Sequence, residues 1–115
     1  MDKNLVFLEG TIGEDYNKGK SDEGKPFVTF SLCIDGYYKE IADSTERNHY
    51  KTYIRVFLYD KKQLDYLDRV GAHAGVRASV FGRLSSYRRE YKGIGYIQNN
   101  VVCRDITIIK TKSDK

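Results

Sequence analysis

Between His49 and Tyr59 the sequence HYKTYIRVFLY places Tyr53, Arg55, Phe57 and Tyr59 at every second position. Alternate side chains of an extended strand leave the same face. These four therefore form one aromatic and basic stripe, while Ile54, Val56 and Leu58 turn toward a core. The segment Gly75 to Tyr91 (GVRASVFGRLSSYRREY) repeats the arrangement. Val76, Ala78, Val80 and Leu84 fall on its apolar face, with Gly82 between the last two, and Arg77, Phe81, Arg83, Tyr87, Arg89 and Tyr91 fall on the other. An aromatic ring stacks on any nucleobase, at about 1–3 kcal/mol per base, and a guanidinium holds a phosphate or stacks in its turn. Rings interleaved with arginines are thus the chemistry of a nucleic-acid surface. The competing reading is plain strand packing, because tyrosine favours strands and arginines pair with acids across them.

Composition agrees with a binding surface more than with a catalytic one. The 115 residues include ten Tyr, five Phe and no Trp. The net charge of +4, from 20 basic and 16 acidic residues, is modest, but its placement is uneven. Arg83, Arg88, Arg89 and Lys92 stand against Glu90 alone, and Lys110, Lys112 and Lys115 against Asp114. A basic stripe beside aromatics is the electrostatic footprint of a nucleic-acid binder. The sequence has no glycine-rich phosphate loop, no HExxH and no His–carboxylate–nucleophile set, so no enzyme is expected. Asp60, Asp65 and Asp68 read as helix-surface acids. Cys33 and Cys103 are far apart without a CxxC, and His49 and His73 stand alone. No metal and no cofactor are therefore expected. No apolar run spans a bilayer. The patch Leu5 to Leu8 lacks the flanks of a signal peptide. A cytoplasmic protein without membrane contact is the expectation.

These stripes need a framework of strands. Asn4 to Gly13 (NLVFLEGTIG) reads as a first strand, with Gly10 and Gly13 permitting bends. Its apolar residues are consecutive at Leu5 to Leu8, which implies burial on both faces, one in a barrel and one against another subunit. Glu14 to Lys25 is polar and reads as a loop. Pro26 to Ile34 is a second strand, with Val28, Phe30, Leu32 and Ile34 inward and Thr29, Ser31 and Cys33 outward. Gly36 to Asn48 is an excursion. His49 to Tyr59 is the third strand. Asp60 to Gly71 is a helix, with Asp60 as N-cap, Gln63 completing a capping box, and Gly71 as the stop. Gly75 to Tyr91 is the fourth strand, Lys92 to Gly95 a turn, and Tyr96 to Lys110 the fifth strand. Tyr16 and Tyr66 read as structural. One of Tyr37 and Tyr38 stacks while the other packs, and Tyr50 and Tyr96 stay open between the two roles.

Five strands with one short helix between the third and fourth is the element order of an OB-fold, an all-β, partly open barrel that binds oligonucleotides or oligosaccharides. Residues 1–110 form this domain and 111–115 a short polar tail. The sequence also resembles the bacterial single-stranded-DNA-binding protein (SSB) family. The resemblance runs from Asn4 to Ile109 on Leu8-Glu9-Gly10-Thr11-Ile12-Gly13, Phe30-Ser31-Leu32, Tyr53-Ile54-Arg55-Val56, Tyr66-Leu67, Val70-Gly71 and Phe81-Gly82-Arg83-Leu84. It implies sequence-tolerant binding and protection of single-stranded DNA in replication, recombination or repair, by a homo-oligomer, a tetramer in preference to a dimer. By position Tyr38 is similar to the aromatic near the end of strand two, and Tyr53 and Tyr59 to the strand-three pair. For the hairpin aromatic, strict register gives Arg89, with Tyr87 and Tyr91 sharing its parity.

The sequence departs from the family in lacking tryptophan at stacking positions and in ending on a basic tail. The second departure argues against recruiting repair enzymes through an acidic tip. It favours an alternative, a primosome-type OB-fold dimer that docks another replication protein. An RNA- or glycan-binding OB domain is a third reading.

Overall fold

The computed structural model describes residues 1–38 and 48–109, and of Tyr38 the backbone alone. The described residues form strands β1 (Val6–Ile12), β2 (Asn17–Lys20), β3 (Pro26–Tyr38), β4 (Asn48–Leu58), β5 (Arg77–Tyr91) and β6 (Ile94–Ile109), with helix α1 (Lys61–Val70) between β4 and β5. The sheet order is β1-β5-β6-β4-β3-β2, and β1 also pairs with β3. Five strands therefore close a ring, β1-β5-β6-β4-β3, and β2 hangs on its outside. This is the OB-fold barrel expected from the sequence. No helix among the described residues is long and apolar enough to cross a membrane.

Period-two patterning builds the ring. Val28, Phe30 and Leu32 of β3 face Leu58, Val56 and Ile54 of β4 in register, and all of these but Ile54 are fully buried or nearly so. Ile12, Ala78, Val80, Val101, Cys103 and Ile106 complete the core, and Leu67 of α1 plugs its end. Tyr16 lies against Phe30, with centroids 5.9 Å apart, and so is structural, as read from the sequence. The Cys103 thiol is buried, and that burial pushes its pKa up to about 12. An extra residue, Arg104, bulges β6 where Phe81 faces Asp105 and Gly82 faces Cys103. Gly82 is required there, because a Cβ would stand 2.1 Å from the Val102 carbonyl oxygen.

Several expectations need correction. The segment read as a loop from Glu14 to Lys25 contains β2, which pairs with β3 from Asn17↔Thr29 to Lys20↔Pro26. Its polar side chains gave no alternation, because an edge strand held by backbone hydrogen bonds needs no apolar face. The second strand runs on to Tyr38, so part of the expected excursion is strand. The capping box does not form. Asp60 has extended N-cap geometry without a side-chain cap bond, and Gln63 Oε1 instead accepts from the Ile106 backbone N–H at 2.9 Å. Tyr66 Oη accepts from Ile108 N–H in the same way. Parallel pairing of β4 with β6 covers only Val101 to Cys103, so α1 side chains satisfy the β6 edge beyond it. Gly71 ends the helix in the left-handed conformation, as expected. Leu84, placed in the core by alternation, is 43% exposed. By that point β5 has left its partner β1, and beyond it β5 and β6 run on as a two-stranded arm. The arm turns at Lys92 and Gly93, both at positive φ, so the fifth strand starts at Ile94.

Candidate nucleic-acid interface

The outer wall of β3 and β4 is set by register. Going outward from the barrel, Thr29 faces Phe57, Ser31 faces Arg55, Cys33 faces Tyr53, Asp35 faces Lys51 and Tyr37 faces His49. Because Val56 and Leu58 are fully buried, their odd-numbered neighbours must look outward. Tyr53 is 66% exposed, and Tyr59, just past the end of β4, is also exposed. Phe57 is half-buried and lies nearly parallel to Tyr59, with centroids 6.2 Å apart and planes 6° apart. Phe27 closes on Tyr59 from β3 at 6.1 Å. At the far end the Tyr37 ring lies 5.2 Å from His49, and His49 Nε2 pairs with the Asp35 carboxylate. Arg55 sits between Tyr53 and Phe57 and is held by Asp15 at 3.1 Å.

The arm carries a second aromatic row. Tyr87 faces Gln98, Arg89 faces Tyr96 and Tyr91 faces Ile94, so one face combines three tyrosines with a guanidinium. Arg89 Nη1 donates to Gln98 Oε1 at 3.1 Å, and a neutral acceptor leaves its charge uncancelled. Lys92 lies over the Tyr91 ring at 5.4 Å. On the opposite face the Arg88 guanidinium covers Gly95, where a Cβ would meet Nη2 at 2.8 Å.

The sequence profile of the Single-strand binding protein family matches residues 3–109. The chain belongs to that family. Solved single-strand binding proteins share its shape. The Plasmodium falciparum SSB, in complex with ssDNA, superimposes with a TM-score of 0.81 at 18% identity, over 96% of this chain and 97% of that one. A deletion mutant of the Thermus aquaticus single-stranded DNA binding protein gives 0.77 at 21% identity, over 96% of this chain and 52% of that one. The small single-stranded DNA-binding protein of Streptomyces coelicolor gives 0.70 at 14%, over 95% and 96%. No curated protein matches the chain in sequence. Likeness at these identities speaks for the fold; the family assignment rests on the profile.

For this family member the site residues read from the sequence divide into groups. Tyr53, Arg55, Phe57 and Tyr59 come together on the β3–β4 wall. Tyr87, Arg89 and Tyr91 come together on the arm. Arg77 and Phe81, although of the same outward parity as Arg55, lie on the β1–β5 wall, whereas Arg83 stands in one row with Val102 and Phe57. Arg77 pairs with Glu9 at 3.5 Å, and Phe81 faces Phe7 across β1–β5. The reason is ring closure: β6 stands between β4 and β5, so outward residues of β5 join a row with the β4 wall only in the short stretch where β6 pairs with β4, at Arg83. The Tyr38 side chain lies outside the described residues, as do residues 110–115. Sequence reasoning missed Phe27 and left Tyr96 and Tyr37 undecided. Phe27 carries the outward parity of Thr29 and Ser31, a signal that was available. Tyr96 needed the exact hairpin register, which the two-residue turn sets.

Proposed function

We propose that this family member binds single-stranded DNA without regard to sequence, laying it along the β3–β4 wall and the tyrosine face of the arm. The observation that carries this reading is the row of outward rings at Phe27, Phe57, Tyr59 and Tyr53 around Arg55, on the reverse of a fully buried apolar face. From Phe57 to His49 the wall runs about 27 Å, at about 3.4 Å per residue. Bases stack on such rings whatever their identity. Arg89 and Lys92 on the exposed arm supply the phosphate contacts. Protection of exposed strands in replication, recombination or repair is the corresponding role. Family members are binding proteins and not enzymes.

A homo-oligomer, and a tetramer in particular, belongs to this proposal. Leu5 and Phe7 are 70% and 68% exposed on the β1–β5 wall, where Phe81 extends the same surface. Apolar side chains gathered on one sheet face suit a subunit contact.

The test is titration of the protein with oligo-dT and with duplex of equal length, over a salt series. Preference for oligo-dT is expected, with log K falling against log salt at about 0.7 per phosphate neutralised. Equal weak binding of both ligands at low salt refutes it. Competition by an equal-length RNA measures the DNA preference. Light scattering on the free protein gives the assembly, and a dimer mass would favour the docking-module alternative.

A further inference from the structure

The Asp15 side chain leaves the β1–β2 connection and lies on the β3–β4 wall. Its Oδ1 accepts the Ser31 backbone N–H at 2.8 Å. Its Oδ2 accepts the Ser31 hydroxyl at 2.7 Å and stands 3.1 Å from Arg55 Nη2. The place is fixed by topology. β1 pairs with β3 as far as Ile12↔Leu32, and β2 takes over at Asn17↔Thr29, so the Ser31 N–H falls in the gap and Asp15 fills it. Gly13 packs close behind, where a Cβ would stand 3.0 Å from Asp15 Oδ1. Burial pushes the Asp15 carboxyl up, but the two Ser31 hydrogen bonds and the Arg55 charge outweigh it and hold the group below the ordinary carboxylate value. Asp15 is therefore ionised at neutral pH, and it meets a guanidinium set between two rings of the DNA wall.

The geometry points to Asp15 as a positioning residue that cancels the charge of Arg55 and fixes its plane, so that Arg55 meets DNA as a flat stacking group and neutralises no phosphate. This role rests on the DNA-binding reading above. The carboxylate does not swing aside when a strand arrives, because its departure would leave the Ser31 N–H without a partner. A guanidinium paired with a carboxylate keeps its π face and several N–H donors. Its net charge is spent within the protein. The phosphate contacts fall to Arg89 and Lys92, which face no carboxylate in the hydrogen bonds and ion pairs of the described residues.

Salt dependence separates the two roles, because each phosphate neutralised adds about 0.7 to the slope of log K against log salt for a single strand. Oligo-dT binding is measured over a salt series for the wild type, Asp15→Asn and the charge-conserving double variant Asp15→Asn/Arg55→Gln, with circular dichroism on each. Asn keeps the size and one acceptor for Ser31. Freed from its carboxylate, Arg55 in Asp15→Asn reaches a phosphate, so the slope steepens by about 0.7 and low-salt affinity rises. In the double variant affinity falls while the slope stays at the wild-type value. An unchanged slope in Asp15→Asn, or a slope shallower by about 0.7 in the double variant, overturns the assignment. If Asp15→Asn alone fails to fold, the double variant still decides. Absence of oligo-dT binding by the wild type overturns the functional reading itself, and this role with it.

Discussion

Tyr53→Ala isolates the contribution of one ring to binding. Tyr53 is 66% exposed and stands across from Cys33, so truncation removes little packing. Exposed substitutions of this kind change stability by about 0.5 kcal/mol or less. A stacked base is worth about 1–3 kcal/mol. At about 1.4 kcal/mol per tenfold, the loss in oligo-dT affinity is about 5- to 140-fold, with the melting curve almost unmoved. The salt slope stays as in the wild type, since no phosphate contact is removed. Tyr53→Phe keeps the stacking face and retains most of the affinity. Tyr53 serves this test better than Phe57 or Tyr59, which pack on each other, and with Phe27 on Tyr59, so that truncating either also disturbs a cluster. Anisotropy of a labelled oligo-dT measures the binding. Tyr53→Ala binding within twofold of the wild type, with an intact fold, would refute the placement of DNA on the β3–β4 wall.

Other predictions probe the same surfaces and the barrel that carries them. A thiol reagent is expected to modify the half-buried Cys33 in the native protein and to spare Cys103, whose pKa burial pushes up to about 12; bound oligo-dT should slow the Cys33 reaction, because that side chain lies beside Tyr53 on the wall. Gly82→Ala brings a Cβ to 2.1 Å from the Val102 oxygen and should cost about 2–3 kcal/mol, read as a Tm lower by about 10 °C. Asp15 stabilises the fold through a carboxyl pKa lowered on folding, so its contribution is complete above the ordinary carboxylate range and lost as pH falls through the lowered value; in acid titrations followed by circular dichroism, Asp15→Asn should lose that part of the pH dependence. Lys92 occupies the left-handed region at φ 51°, so Lys92→Gly should relieve about 1 kcal/mol of strain, seen as slower amide exchange in the arm with little change in global Tm.

How much of this was legible before the fold was known depended on the kind of signal. Val28, Phe30, Leu32, Val56 and Leu58 announced two barrel strands because a closed core imposes strict alternation. The same parity put Tyr53, Arg55 and Phe57 on one outer wall. Parity fails to say which wall a residue joins, and there the reading went astray. Arg77 and Phe81 share the outward parity of Arg55 yet face β1, because strand order is a long-range property that no local pattern carries. β2 was invisible for a related reason: Asn17 and Lys18 are held by backbone pairing to β3, which leaves no mark on side-chain polarity. The pairing of Asp15 with Arg55 spans forty residues and depends on a gap between two strands. Only the register of both strands against β3 reveals that gap.

The arm built by β5 and β6 begins beyond the Leu84↔Val101 pair, the last at which β6 also pairs with β4. On the barrel side of that pair, β1 flanks β5, and β4 and then the α1 side chains Gln63 and Tyr66 hold the free edge of β6. On the far side they form a two-stranded ribbon whose residues are mostly exposed. One continuous polypeptide thus serves as a rigid stave over half its length and a bendable finger over the other half. Such a finger can adjust its pitch to a guest while the stave keeps its shape. Adapting to DNA of irregular course therefore leaves the barrel's cohesion untouched.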